Sequence, residues 1–107
     1  MNKKDTFILM IEGMIEKSKD KLINAMSNDS KLYHMTGRCE SRSEYIDDIL
    51  DGTLNYYDYE LIGFNEDVAV VKLLAKVYGG SKSWWTLKMN IKYDEHNKIL
   101  ECKAGLA

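Results

Sequence analysis

Proline is absent from the chain, and its 107 residues contain no internal repeat, low-complexity tract or Gly/Ser-rich linker. Nothing therefore divides residues 1–107, and so short a chain supports one domain around one core. Cysteine is scarce. Cys39 and Cys102 are too few and too far apart for a disulfide scaffold or a clustered zinc site, and they read as free thiols in a reducing compartment. No metal and no cofactor is expected. Charge of one sign is also missing: 15 Lys and Arg against 17 Asp and Glu leave a net charge of -2, without the positive field that duplex nucleic acid or an anionic membrane favours. Long apolar runs are lacking as well. Phe7-Ile8-Leu9-Met10-Ile11 follows Lys3 and Lys4, but Glu12 and Glu16 interrupt it and no small-residue cleavage site follows, so it is not expected to act as a signal peptide. No stretch approaches the roughly 20 apolar residues of a membrane span, and a soluble cytoplasmic protein is the expectation.

What is present is an order of elements, with helices first and strands afterwards. Asp5 is a candidate N-cap, and Phe7, Ile11, Met14, Ile15, Ser18 and Leu22 follow at helical spacing. A break near Lys19-Asp20 separates a second short helix that ends at Met26. Asn28-Asp29-Ser30 is a turn signal, and Leu32-Tyr33-His34-Met35 is a short extended segment closed by Thr36-Gly37. Ser41 and Glu44 form a capping box ahead of Tyr45, Ile46, Ile49 and Leu50, and Gly52 ends that helix.

From Thr53 the period changes to 2. In Val68–Tyr78 the odd positions Ala69, Val71, Leu73, Ala75 and Val77 are apolar, and in the next strand Trp85, Leu87, Met89, Ile91 and Tyr93 share one face. Residues 54–62 carry aromatics on both faces, which leaves the inward one ambiguous. Gly79-Gly80 turns the chain between the two long strands, and Asp94-Glu95-His96-Asn97 leads to a last strand over 98–104. The expected fold is α+β, α-α-β-α followed by a four-stranded antiparallel meander that wraps the helices.

The stretches Leu32-Tyr33-His34-Met35-Thr36-Gly37, Ser43-Glu44-Tyr45, Ile49 to Tyr57, Tyr78-Gly79-Gly80 with Trp84-Trp85, and Tyr93 to Ile99 resemble the nuclear transport factor 2-like superfamily. This is the cone-shaped, cystatin-like fold that includes ketosteroid isomerase and SnoaL-like proteins. The resemblance implies a single cone domain whose function ranges over isomerases, cyclases, hydrolases, dehydratases and non-catalytic binding proteins. Ketosteroid isomerase uses a Tyr and a protonated Asp as oxyanion donors and an Asp as base. Matched element to element, those places fall on Met10, Met89 and His34, so both donors are lost and the isomerase acid/base set is not retained.

His34 remains as the candidate general base, in a strand end before the Thr-Gly turn, with no second acid or base identifiable beside it. A purely structural imidazole is the competing reading. Met10, Met14, Tyr57, Trp85, Met89 and Cys102 are expected to line the cone interior and to suit a small apolar ligand, unless they simply fill the core. Tyr45 and Asp48 are placed to reach the cavity rim, but Asp47, Asp48 and Asp51 read equally as a solvated helix face, which is the favoured reading, and Cys39 beside Arg38 reads as a bystander thiol.

Five lysines and no acid lie between Val68 and Tyr93. Lys72, Lys76 and Tyr78 share the outward parity of one strand, and Trp84 and Lys88 that of the next. A single-stranded nucleic-acid platform is one reading of this face. A homodimer interface, with the acidic stretch Glu44, Asp47, Asp48, Asp51, Asp58 and Glu60 as its complement, is the favoured one. The sequence thus points to a small-molecule-binding cone protein, with a SnoaL-like enzyme using His34, or an interaction module using the lysine face, as alternatives.

Overall fold

A computed structural model describes residues 1–107. Helix α1 (Lys3–Glu16) is capped by Asn2, whose side chain accepts from the Asp5 backbone N–H at 2.8 Å; Asp5 itself lies inside the first turn. Lys17, at φ 53°, ends α1, and Ser18 caps α2 (Lys19–Ala25). Strand β1 (Met26–Tyr33) follows directly. Asn28-Asp29-Ser30 is therefore no turn: it lies inside β1, where the pairing register shifts between Met26 and Lys31 and a bulge absorbs the turn-forming residues. A second strand, β2 (Cys39–Ser41), folds back on β1, and α3 (Arg42–Leu50) opens with the capping box of Ser41 and Glu44. Strands β3 (Leu54–Asn65), β4 (Val68–Val77), β5 (Ser83–Tyr93) and β6 (Ile99–Leu106) complete the chain.

The meander is real, but it is two-thirds of the sheet. All six strands form one mixed sheet in the order β2-β1-β6-β5-β4-β3, with β1 parallel to β6 and every other pair antiparallel. The helices cover one face. Phe7, Met10, Ile11 and Met14 of α1, Leu22 of α2, and Tyr45, Ile46 and Ile49 of α3 pack onto Ala69, Val71 and Leu73 of β4, Leu87, Met89 and Ile91 of β5, and Ile99 and Cys102 of β6. Lys17 ties the layers at one end, its ammonium donating to the Ile49 carbonyl at 2.7 Å and to Asn55 Oδ1 at 2.9 Å.

Strand β3 resolves its two-faced aromatic pattern with two register shifts, between Tyr56 and Asp58 and between Leu61 and Gly63. Each shift inserts one extra residue, so Tyr56, Tyr59, Leu61 and Phe64 pack against the core while Tyr57 and Ile62 are pushed outward.

Candidate functional site

The hairpin of β1 and β2 carries the polar part of the site. Gly37 adopts φ 88° in its turn, the His34 N–H donates to the Arg38 carbonyl at 2.9 Å, and Leu32 pairs with Glu40. In an antiparallel pair opposite residues share a face, so Leu32, His34, Arg38 and Glu40 lie on the same side, with His34 and Glu40 on the diagonal. Register then decides which side. Glu40 pairs with Leu32, Leu32 with Cys102, and Cys102 with Ile91, all core residues, which forces a carboxyl group onto the inner face of the sheet.

Glu40 is accordingly 1% exposed, and its Oε1 is hydrogen-bonded to His34 Nε2. Arg38 places Nη2 3.6 Å from Glu40 Oε2 and 3.5 Å from Asp48 Oδ2 on α3, and its Nη1 donates to the Tyr78 hydroxyl at 3.0 Å. Burial, followed by the facing Asp48 carboxyl, pushes Glu40 up to about 7 from its ordinary 4.5. Burial, followed by the Arg38 charge, holds His34 below its ordinary 6.5, and the ring is neutral at physiological pH. His34 Nδ1 has no hydrogen bond within the chain and is not among its buried unpaired atoms, so it is an accessible, unpaired nitrogen on a residue that lines the cavity.

That cavity, of about 230 Å³, lies between α1, α3 and the inner sheet face. Seventeen of its 19 lining residues are hydrophobic, and His34 and Thr36 are the two that are not. Met10, Met14, Trp85, Met89 and Cys102 all line it. Tyr57 does not: it is the extra residue of the first β3 bulge, 43% exposed, with the Lys82 ammonium 4.2 Å over its ring, and Tyr56 takes the inward place. The Tyr45 hydroxyl donates to Tyr56 Oη at 3.4 Å, which leaves the Tyr56 O–H proton without an acceptor in the protein. Burial pushes Tyr45 well above its ordinary 10 and Tyr56 up to about 12, so both are neutral donors. Cys102, also pushed up to about 12 by burial, stays an inert thiol.

Tyr78 moves from the outer face to the site. At φ 51° it breaks the strand alternation after Val77, lines the cavity mouth and lies 5.7 Å below the Arg38 guanidinium. Lys72, Trp84 and Lys88 stay on the outer face, the Lys72 ammonium 5.4 Å from the Trp84 ring. This face is less one-sided in charge than parity alone suggests, because Asp58 and Glu60 pair with Leu74 and Lys72 and thus share it. They do not belong with the acids of α3. No three His, Cys, Asp or Glu side chains are grouped to hold a metal ion.

Glu40 is the site residue that reading along the chain misses. Its only signal was its place in a hairpin: the turn at Thr36-Gly37 implies a returning strand, on which Arg38 and Glu40 alternate with Cys39 and share the side of His34.

No protein-family model and no curated protein matches the sequence. Solved structures do match. A nuclear transport factor 2-like protein of unknown function from Cytophaga hutchinsonii superposes with a TM-score of 0.72 at 8% identity, over 100% of this chain and 91% of the other. A protein of unknown function with a cystatin-like fold from Methylobium petroleophilum gives 0.76 at 13% identity, over 98% and 75%. An LEH-like epoxide hydrolase from M. tuberculosis gives 0.71 at 7% identity, over 96% and 80%. Likeness at such identities is likeness of fold, here three helices on one face of a six-stranded mixed sheet.

Proposed function

We propose that this chain, which has the nuclear transport factor 2-like cone fold, binds a compact, mostly apolar molecule in its cavity and moves a proton on it, with His34 as the base. One observation carries the reading. A neutral imidazole sits in the wall of a mostly apolar cavity with a buried carboxyl group behind it. A hydrogen-bonded partner at Nε2 fixes the ring and its tautomer, and leaves the Nδ1 lone pair for the ligand. The volume suits a single-ring or small two-ring molecule, given that an apolar cavity of about 150 Å³ holds benzene.

The chemistry that fits is removal of a proton from carbon next to a carbonyl group. The C–H bond breaks, Nδ1–H forms, and the electron pair moves onto the carbonyl oxygen, where the free Tyr56 O–H is a donor in water-poor surroundings. Activation of a water by the same nitrogen is the other use of this base, and one of the structural neighbours is an epoxide hydrolase.

Hydrogen–deuterium exchange tests it. Single-ring ketones and cyclic β-diketones are incubated with the protein in heavy water and the loss of the acidic C–H signal is followed by NMR. Exchange above the buffer rate is expected for at least one compound, and abolished in His34→Gln with the melting temperature little changed. Exchange that survives in His34→Gln overturns the role of His34. Binding of these compounds without any exchange leaves a binding protein and removes the enzyme.

A further inference from the structure

Glu40 Oε2 is a buried carboxyl oxygen with no hydrogen-bond partner. The rest of the residue is well served, since Oε1 has His34 Nε2. An orphaned acceptor in a side chain 1% exposed is costly, and if the carboxyl were ionised the cost would be larger still. The groups facing it are His34 from the end of β1, Arg38 from the hairpin turn, Glu44, Tyr45 and Asp48 from α3, and Tyr56 from β3. Glu44 is occupied by the Ser41 backbone N–H at 2.9 Å, and the Tyr45 hydroxyl by Tyr56. Arg38 stands 3.6 Å off, nearer to ion pairing than to a hydrogen bond. Asp48 remains: its carboxyl lies within hydrogen-bonding reach of Glu40, and its other neighbour is Arg38 Nη2 at 3.5 Å.

Two carboxylates do not share such a contact when both are ionised, whereas one proton between them turns the repulsion into a hydrogen bond. With that proton on Oε2, every group is satisfied: His34 Nε2–H donates to Oε1, Oε2–H donates to Asp48, and the Asp48 charge is held by Arg38. We propose that Asp48 is a positioning residue of the site, sharing one proton with Glu40 and so keeping the inner carboxyl a neutral acid that presents His34 with its Nδ1 unprotonated. Resting on the reading of His34 as base, the same chain has a use during turnover. When Nδ1 takes a proton, the Nε2–H bond breaks as Glu40 Oε1–H forms, and Oε2–H breaks as the Asp48 O–H forms. The positive charge gained at the imidazole is thereby cancelled on Asp48, beside the surface of α3, and the reverse movement returns the proton to the product. No electrons leave the ligand.

Carbon NMR of glutamate-labelled and aspartate-labelled protein, with nitrogen NMR of His34, tests this without any substrate. Wild-type Glu40 is expected to titrate with a midpoint of about 7, a neutral acid on the acid side of it, with the His34 proton on Nε2 and Nδ1 bare at neutral pH. Asp48→Asn removes the shared proton's second seat and lowers the Glu40 midpoint by at least one pH unit, a tenfold loss of proton affinity, while Asp48→Glu keeps it. A role of Asp48 limited to tethering Arg38 would lower the melting temperature and leave the midpoint alone. Glu40 titrating in the ordinary carboxylate range in the wild type, a cationic His34 at neutral pH, or a midpoint unmoved in Asp48→Asn each overturns the proposal. The expected titrations together with a failed exchange screen retain the carboxyl pair and discard the enzymatic reading.

Discussion

Glu40→Gln places a permanently neutral, nearly isosteric group where a carboxyl is held neutral only by its surroundings. Glu40 is raised to about 7 in the fold from an ordinary 4.5, by burial first and the facing Asp48 second. Between these values the folded chain keeps a proton that the unfolded chain has lost. The native state then binds more protons, and by linkage stability falls as pH rises through the window. Two and a half units at 1.36 kcal/mol each give a loss of about 3 kcal/mol, complete once Glu40 has ionised in the fold. His34, lowered by burial and by Arg38, works in the opposite sense below its ordinary value, but it is present in both proteins and largely cancels in their difference. The glutamine amide accepts from His34 Nε2–H and donates toward Asp48, so near pH 4.5 the two proteins are expected to be about equally stable. Around pH 8.5 the variant is expected to be more stable by about 3 kcal/mol, a melting temperature higher by on the order of 10 °C for a domain of this size. Urea denaturation at closely spaced pH values gives both curves. Parallel curves would refute the burial of a neutral acid and with it the account of the site.

Gly13→Ala removes helix-destabilising glycine from α1 and normally adds about 1 kcal/mol. Here the new Cβ would stand 2.9 Å from Leu22 Cγ and 3.2 Å from the Leu22 backbone nitrogen, so overpacking between α1 and α2 is expected to dominate, with a net loss of about 1–2 kcal/mol in chemical denaturation. A stabilised variant would show that α1 and α2 are not that close. On the outer sheet face Trp84 is 48% exposed beside Lys72, and we propose that this face pairs two copies of the chain. Light scattering behind size exclusion is expected to show a dimer for the wild type and a monomer for Trp84→Glu; a monomeric wild type, or a variant that stays dimeric, removes the interface.

Alternation and capping made much of the fold legible in the chain. The odd positions of β4 and β5 face the helices, with Ala69, Val71, Leu73, Leu87, Met89 and Ile91 in the core and Trp85 38% exposed; Ser41 and Glu44 form their capping box, and Met10, Met14, Trp85, Met89 and Cys102 reach one cavity. The misplacements have one cause in common, a local break in period. Tyr57 is displaced by a bulge, Tyr78 by a left-handed residue, and Asn28-Asp29-Ser30 is absorbed by a bulged parallel pairing. A period-2 count carries no information about an inserted residue, because the insertion is favourable only when the neighbouring strand and the helices above it are already in place.

The sequence by itself determined the α+β order, the apolar character of the interior and the place of the His34 imidazole at a strand end ahead of a turn. Side-chain types and their spacing suffice for these, since they depend on neighbours along the chain. Tertiary structure alone decided that β2 returns along β1 and carries Glu40 in behind His34, and that α3 sets Asp48 and Tyr45 beside them. Whether a carboxyl group is a solvated charge or a buried acid depends on which groups desolvate and face it, and those groups come from elements far apart in the chain.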